Sequence, residues 1–110
     1  MEINELIQKS YETAKAKGWH DEPRSFGDLI ALAHSELSEA LEDFRNGHSP
    51  TEIYYEKLGE KPCGVPIEIA DVVIRLADLC GRYGIDLDTA LSIKMDYNET
   101  RSHRHGGKVL

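Results

Sequence analysis

The run PIEIADVVIRLADLCGRYG, from Pro66 to Gly84, constrains the fold more than any other stretch. Projected at about 100° per residue, its charged positions collapse onto one stripe: Glu68, Asp71, Arg75, Asp78 and Arg82. Apolar side chains cover nearly all of the remaining circumference. A helix apolar on so many sides must be packed on several of them, and its single polar stripe must face solvent or a polar cleft. Val72, Val73 and Ile74 are β-branched, but three residues inside a longer 3.6-residue period do not make a strand. The segment therefore reads as the central helix of a helical domain. Pro66 starts it and Gly84 stops it.

Three further segments carry a one-sided helical period. Ile3 to Lys17 places Ile3, Leu6, Ile7, Ser10, Tyr11 and Ala14 on one face, and Gly18 ends it. The loop GWHDEPRS follows, broken by Pro23. A second long helix is predicted from an N-cap at Ser25, with Asp28 in the first turn where negative charge is favoured. Its apolar stripe is Phe26, Leu29, Ile30, Ala33, Leu37, Ala40, Leu41 and Phe44, read as bundle core, and Asn46-Gly47 closes it. A fourth helix starts after Gly84-Ile85-Asp86, capped by Asp86 or Asp88, and runs to about Thr100. Residues 47–65 form a long connection with one short helical piece expected around Thr51 to Leu58. No strand is expected. The tail RSHRHGGKVL has no clear period. With 110 residues, the chain fits one domain. The expected fold class is all-α, a four- to five-helix bundle; a core this small makes completion by oligomerisation plausible.

Composition narrows the function classes. No run approaches the roughly 20 apolar residues needed to span a membrane, and the charged N-terminus lacks the apolar region of a signal peptide. A cytoplasmic protein without membrane partners is expected. Cys63 and Cys80 have neither CxxC nor paired-His spacing, so they read as free thiols. The net charge of −7 argues against a nucleic-acid partner. The charge is uneven: residues 1–93 carry −9, and residues 94–110 carry +2. An acidic body beside a basic end suits a metal ion next to an anion; it is also what a charged tail looks like.

Two acid pairs give the first chemical signal. Glu36 and Glu39 lie along the edge of the second helix's apolar stripe. They are i, i+3 neighbours about 5–6 Å apart at Cβ, where like charges weaken a helix. Glu68 and Asp71 repeat the spacing on the central helix. Either pair alone reads as solvated surface, the more so because Asp71–Arg75 and Asp78–Arg82 have i, i+4 ion-pair spacing. Taken together, the pairs can bring four carboxylates around one point. Such a cluster repels itself when empty and raises carboxyl pKa values. A hard divalent cation such as Mg²⁺, or Mn²⁺, relieves it through all-oxygen ligation. The Glu-x-x-His element of di-iron bundles is missing.

The fourth helix adds a second signal. Leu87, Ala90 and Leu91 define the centre of its apolar side, and Lys94, Asn98 and Arg101 fall on that same side. Thr89, Ser92, Asp96 and Glu99 occupy the other. Charge aimed toward an interior or a cleft mouth is costly unless paired. Lys94 can instead snorkel past the core, both cations can pair with acids of the third helix, and Arg101 can cap the helix end. A divalent cation with an amine, an amide and a guanidinium suits a polyphosphate.

ELSEA followed by EIADV resembles the Glu-x-x-Glu … Glu-x-x-Asp signature of the MazG-like nucleoside triphosphate pyrophosphohydrolases. Twenty-eight residues separate Glu39 from Glu68, toward the long end for that family. KMDYNETR resembles the downstream Lys…Asn…Arg element, and RHGGK is similar to the ending of short MazG-like proteins. The resemblance spans roughly Trp19 to Lys108. It implies an all-α homodimer or homotetramer that cleaves a nucleoside triphosphate between the α and β phosphates with Mg²⁺. Glu36, Glu39, Glu68 and Asp71 would bind metal, and Glu39 would also orient or deprotonate the attacking water, with Glu36 beside it. Lys94, Asn98 and Arg101 would hold phosphate or sugar. Trp19 and His20 are candidates for the base, although a Trp packing the bundle end fits as well. His34 reads as a half-buried histidine. His103 and His105 can close over phosphates or belong to a free tail. Two other classes stay open: a non-catalytic nucleotide- or metal-binding helical module, and a plain interaction module.

Overall fold

The computed structural model describes residues 1–101. Four helices dominate: α1 (Ile3–Ala16), α2 (Phe26–Arg45), α3 (Val65–Tyr83) and α4 (Leu87–Thr100). Their ends follow local chemistry. Ser25 closes a capping box: its Oγ accepts from the Asp28 N–H at 3.1 Å, and the Asp28 carboxylate accepts from the Ser25 N–H at 3.3 Å. Gly84, left-handed at φ 63°, ends α3. Asp86, not Asp88, caps α4, accepting from the Thr89 N–H (3.1 Å) and hydroxyl (2.8 Å).

α3 is the central helix, packed along both α1 and α2. Its approach to α1 depends on Gly81, where a Cβ would lie 2.7 Å from Cβ of Tyr11. α4 packs chiefly on α1 and buries none of its side chains. The expectation that its Lys94 face turns inward is therefore corrected. Leu91 is more than a third exposed, Lys94 and Asn98 are exposed, and Ile93, Met95 and Tyr97 also meet solvent.

The connection between α2 and α3 also departs from expectation. Around Thr51 to Leu58 there is no helix. An antiparallel hairpin pairs β1 (Tyr54–Glu56) with β2 (Lys61–Cys63) in the register Tyr54↔Cys63, Tyr55↔Pro62, Glu56↔Lys61. Lys57, Leu58 and Gly59, at φ 51°, 60° and 87°, form its left-handed tip. The Tyr54 hydroxyl donates to Asp43 Oδ1 at 3.0 Å, and the His48 ring stacks on Tyr54 at 4.2 Å. These contacts tie the hairpin to the end of α2. The chain then enters α3 through Gly64 (φ 121°), where a Cβ would collide with the Glu52 carbonyl oxygen.

The buried core is thin. It consists of small residues such as Ala14, Ala33, Ala40 and Ala77, with Val65, Leu79 and the two free cysteines, Cys63 and Cys80. No large side chain among the described residues is fully buried. Leu37, Leu41 and Phe44, read from the sequence as core, are 53%, 50% and 55% exposed. With Pro50 and the α3 residues Val65 and Ile69, this stripe lines an open apolar groove of about 460 Å³; His34, exposed rather than half-buried, stands at its wall. No helix among the described residues is long and apolar enough to cross a membrane.

Candidate functional site

α2 and α3 bring three of the four expected acids together. One carboxylate oxygen each from Glu36, Glu39 and Glu68 lies within 4.8 Å of the others. Glu36 and Glu39 come from neighbouring turns of α2. Glu68 comes from the first turn of α3, fixed there by the Gly64 entry; its N–H donates to the Gly64 carbonyl at 3.0 Å. Glu68 Oε2 is shut off from solvent with no N–H or hydroxyl donor facing it, while the Glu68 carboxyl lies within hydrogen-bonding reach of the Glu39 carboxyl. Burial, and after it the Glu39 carboxylate, pushes the Glu68 pKa up to about 7, with Asp71 and Glu36 adding to the shift. Asp71 stands outside the triangle. Burial first and then the charge of Glu36 raise its pKa as well, while Arg75 opposes them.

Arg75 is the cation of this site. Its Nε and Nη2 both donate to Glu36 Oε1, at 2.9 and 2.8 Å. From the sequence, Arg75 looked like the i, i+4 partner of Asp71 on a solvated face. The structure turns it across to α2 instead. The same guanidinium lies 5.6 Å from the centre of the Trp19 ring.

Beyond Arg75 opens a cavity of about 530 Å³ between the loop after α1 and the α2–α3 pair, lined by Trp19 and Leu32, by the cations Arg24, Arg75 and Arg82, and by the acids Asp21, Glu22 and Asp78. Trp19 is 48% exposed there. His20 turns elsewhere: its Nε2 donates to Asp78 Oδ1 at 2.8 Å, and its ring packs on Tyr11. Asp78 is only 5% exposed, which corrects its reading as a solvated residue. Its second oxygen accepts from Arg82 Nε at 3.1 Å, and Arg82 Nη2 donates to the Trp19 carbonyl at 3.1 Å. A buried carboxylate thus fixes the loop that presents Trp19. Sequence reasoning passed over Arg75, Asp78 and Arg82. The available signal was their place on the same α3 stripe as Glu68 and Asp71.

Two members of the expected basic face, Lys94 and Asn98, do not join this group within one chain. Lys94 and Asn98 lie exposed on α4, with Lys94 Nζ 5.1 Å from the centre of the Tyr97 ring. Arg101 packs its guanidinium over the same ring at 5.5 Å. His103 and His105 lie outside the described residues. Comparison with known protein families, curated proteins and solved structures found no match.

Proposed function

We propose that this chain is a Mg²⁺-dependent nucleoside triphosphate pyrophosphohydrolase of the MazG-like type. The observation that carries the reading is the Glu36–Glu39–Glu68 triangle with its shielded, unpaired Glu68 Oε2. Three carboxylates at this separation, one holding a lone pair toward no donor, suit a hard divalent cation with oxygen ligands. Glu36, Glu39 and Glu68 would hold Mg²⁺ or Mn²⁺, and Asp71 would complete the set from the next turn of α3. The bound cation would neutralise phosphate charge and lower the pKa of water.

The chain's own residues supply the rest. Glu39, the exposed member of the triangle, orients the attacking water and accepts its proton. Water adds to the α-phosphorus, the bond to the bridging oxygen breaks, and nucleoside monophosphate and pyrophosphate leave. Trp19 offers a flat apolar face to a base at the cavity mouth, and Arg75 and Arg82 offer donors to anionic oxygens. His20 serves the loop rather than the ligand.

Lys94 and Asn98 enter the reaction only if another copy brings its α4 to the acids. The half-exposed Leu37, Leu41, Phe44 and Ile69 support such a homodimer or homotetramer, since a monomer this small rarely leaves so much apolar surface open. The deciding experiment is pyrophosphate release from a panel of ribo- and deoxynucleoside triphosphates with Mg²⁺. No release from any of them by folded protein refutes the reading. Nucleotide-dependent stabilisation without turnover would favour the non-catalytic binding module, a reading that the outlying position of Lys94 and Asn98 keeps in play.

A further inference from the structure

We propose that Arg75 is a displaceable counter-ion. It neutralises Glu36 while the acid cluster holds no cation. Once Glu36 becomes a metal ligand, Arg75 moves into the Trp19 cavity and binds a phosphate oxygen there. The proposal rests on the metal reading given above and goes beyond it, because it couples the metal centre to the ligand cavity through one side chain.

Four observations carry it. First, both Arg75 donors fall on the single oxygen Oε1 of Glu36, whereas the strongest arginine–carboxylate contact spreads two donors over two oxygens. The pair is also partly open to water, with side-chain exposures of 28% for Arg75 and 15% for Glu36. Such a pair is made to be exchanged more readily than a closed fork. Second, a divalent cation and a guanidinium compete for the same carboxylate, and Arg75 already forms an ion pair with a member of the triangle. Third, Arg75 already lines the cavity and lies against Trp19, so the move is a rotation within open space rather than a change of backbone. Fourth, among the acids that line the cavity, Asp78 has both oxygens engaged by His20 and Arg82, and Asp21 and Glu22 are exposed on the loop, where water weakens their hold on a guanidinium. Arg75 would therefore arrive in the cavity with donors to spare beside Arg82, where an anionic ligand meets two guanidinium groups.

Because the two events share Arg75, they are linked: cation binding strengthens phosphate binding, and phosphate binding strengthens cation binding by the same factor. A static arrangement differs in an observable way. If Arg75 only orients Glu36 and stays on Oε1 while the cation uses the other oxygen, the surroundings of Trp19 do not change.

Trp19 is the sole tryptophan of the chain, so its emission reports on Arg75 without a label. The experiment titrates the full chain with Mg²⁺ alone, following heat and tryptophan emission together. We expect an emission change with the same midpoint as the heat. In Arg75→Gln the heat should persist and the emission change should vanish. Mg²⁺ should bind this variant roughly fivefold more tightly, ~1 kcal/mol, because a competitor has gone. In Glu36→Gln, the emission before any Mg²⁺ should already resemble that of the Mg²⁺-loaded wild type. A non-hydrolysable α,β-methylene triphosphate should then bind the wild type about tenfold more tightly than Arg75→Gln in saturating Mg²⁺, and equally well without Mg²⁺. Heat without an emission change, or an emission change that survives in Arg75→Gln, overturns the proposal and leaves the metal centre standing. An absence of heat from folded wild type overturns the metal centre and the proposal together.

Discussion

Replacing Glu68 with Gln should make the cation-free protein more stable, and the size of the gain should depend on pH. The substitution keeps the shape of a side chain whose Oε2 is shielded and unpaired, and removes its charge. In the folded chain the Glu68 pKa rises from 4.5 to about 7, chiefly through burial and then through Glu39. A carboxyl with a raised folded-state pKa contributes stability that is complete below its unfolded pKa. That stability is lost as pH climbs through the folded pKa, because the ionised form is the one that the fold disfavours. Between about pH 4.5 and 7 the wild type should therefore lose stability that Glu68→Gln keeps. Taken at face value, the shift corresponds to ~3 kcal/mol. Solvent at the rim of the cluster screens the charge, which leaves on the order of 1 kcal/mol. For a chain of this size, that is roughly 4–8 °C in melting temperature at pH 8 and close to nothing at pH 4.5. Thermal unfolding followed by circular dichroism, in chelator at both pH values, reads it directly. Adding Mg²⁺ should reverse the order, because only the wild type keeps the third ligand. A hundredfold excess over the dissociation constant adds about 2.7 kcal/mol to the form that binds. A variant that is equally unstable at both pH values would refute the reasoning, since it would show that Glu68 is a packing residue rather than a strained charge.

The remaining expectations concern the fold and its assembly. Gly81→Ala should cost about 1–3 kcal/mol in chemical denaturation, because the new methyl meets Cβ of Tyr11 and forces α1 away from α3; an unchanged midpoint would contradict that contact. Leu41→Glu, on the half-exposed stripe of α2, should convert an oligomer to monomer in sedimentation while leaving helicity largely intact. If the acids of one copy work with Lys94 of another, mixing inactive Glu39→Gln and Lys94→Ala subunits should restore roughly a quarter of the wild-type rate, since half the dimers then contain one intact site of two. No recovery on mixing would mean that each chain supplies its own site or that Lys94 takes no part.

Much of the fold was legible because its signals are local. The Ser25 N-cap and the Gly84 stop lie within a few residues of the groups they satisfy, so local spacing points to them, whereas spacing left both Asp86 and Asp88 as candidates for the α4 cap. The hairpin was not legible: its strands are three residues long, one contains Pro62, and neither runs far enough to show an alternating period. The acid triangle could be anticipated because i, i+3 spacing fixes a helix edge, and two such edges on adjacent helices tend to meet. The partner of Arg75 could not. Local spacing offers Asp71, whereas the structure uses Glu36, 39 residues away in the chain, a choice decided by how α2 lies on α3. The face of Lys94 was misjudged for the related reason that a helical wheel shows which residues share a side but not whether anything covers it.

The proposed reaction is tested most directly by turnover in ¹⁸O-labelled water with Mg²⁺, followed by mass analysis of both products. Attack at the α-phosphorus puts the label in the nucleoside monophosphate and none in pyrophosphate, and Glu39→Gln should abolish the product while keeping wild-type helicity. Label in pyrophosphate or orthophosphate, or no product from any nucleoside triphosphate, would contradict it.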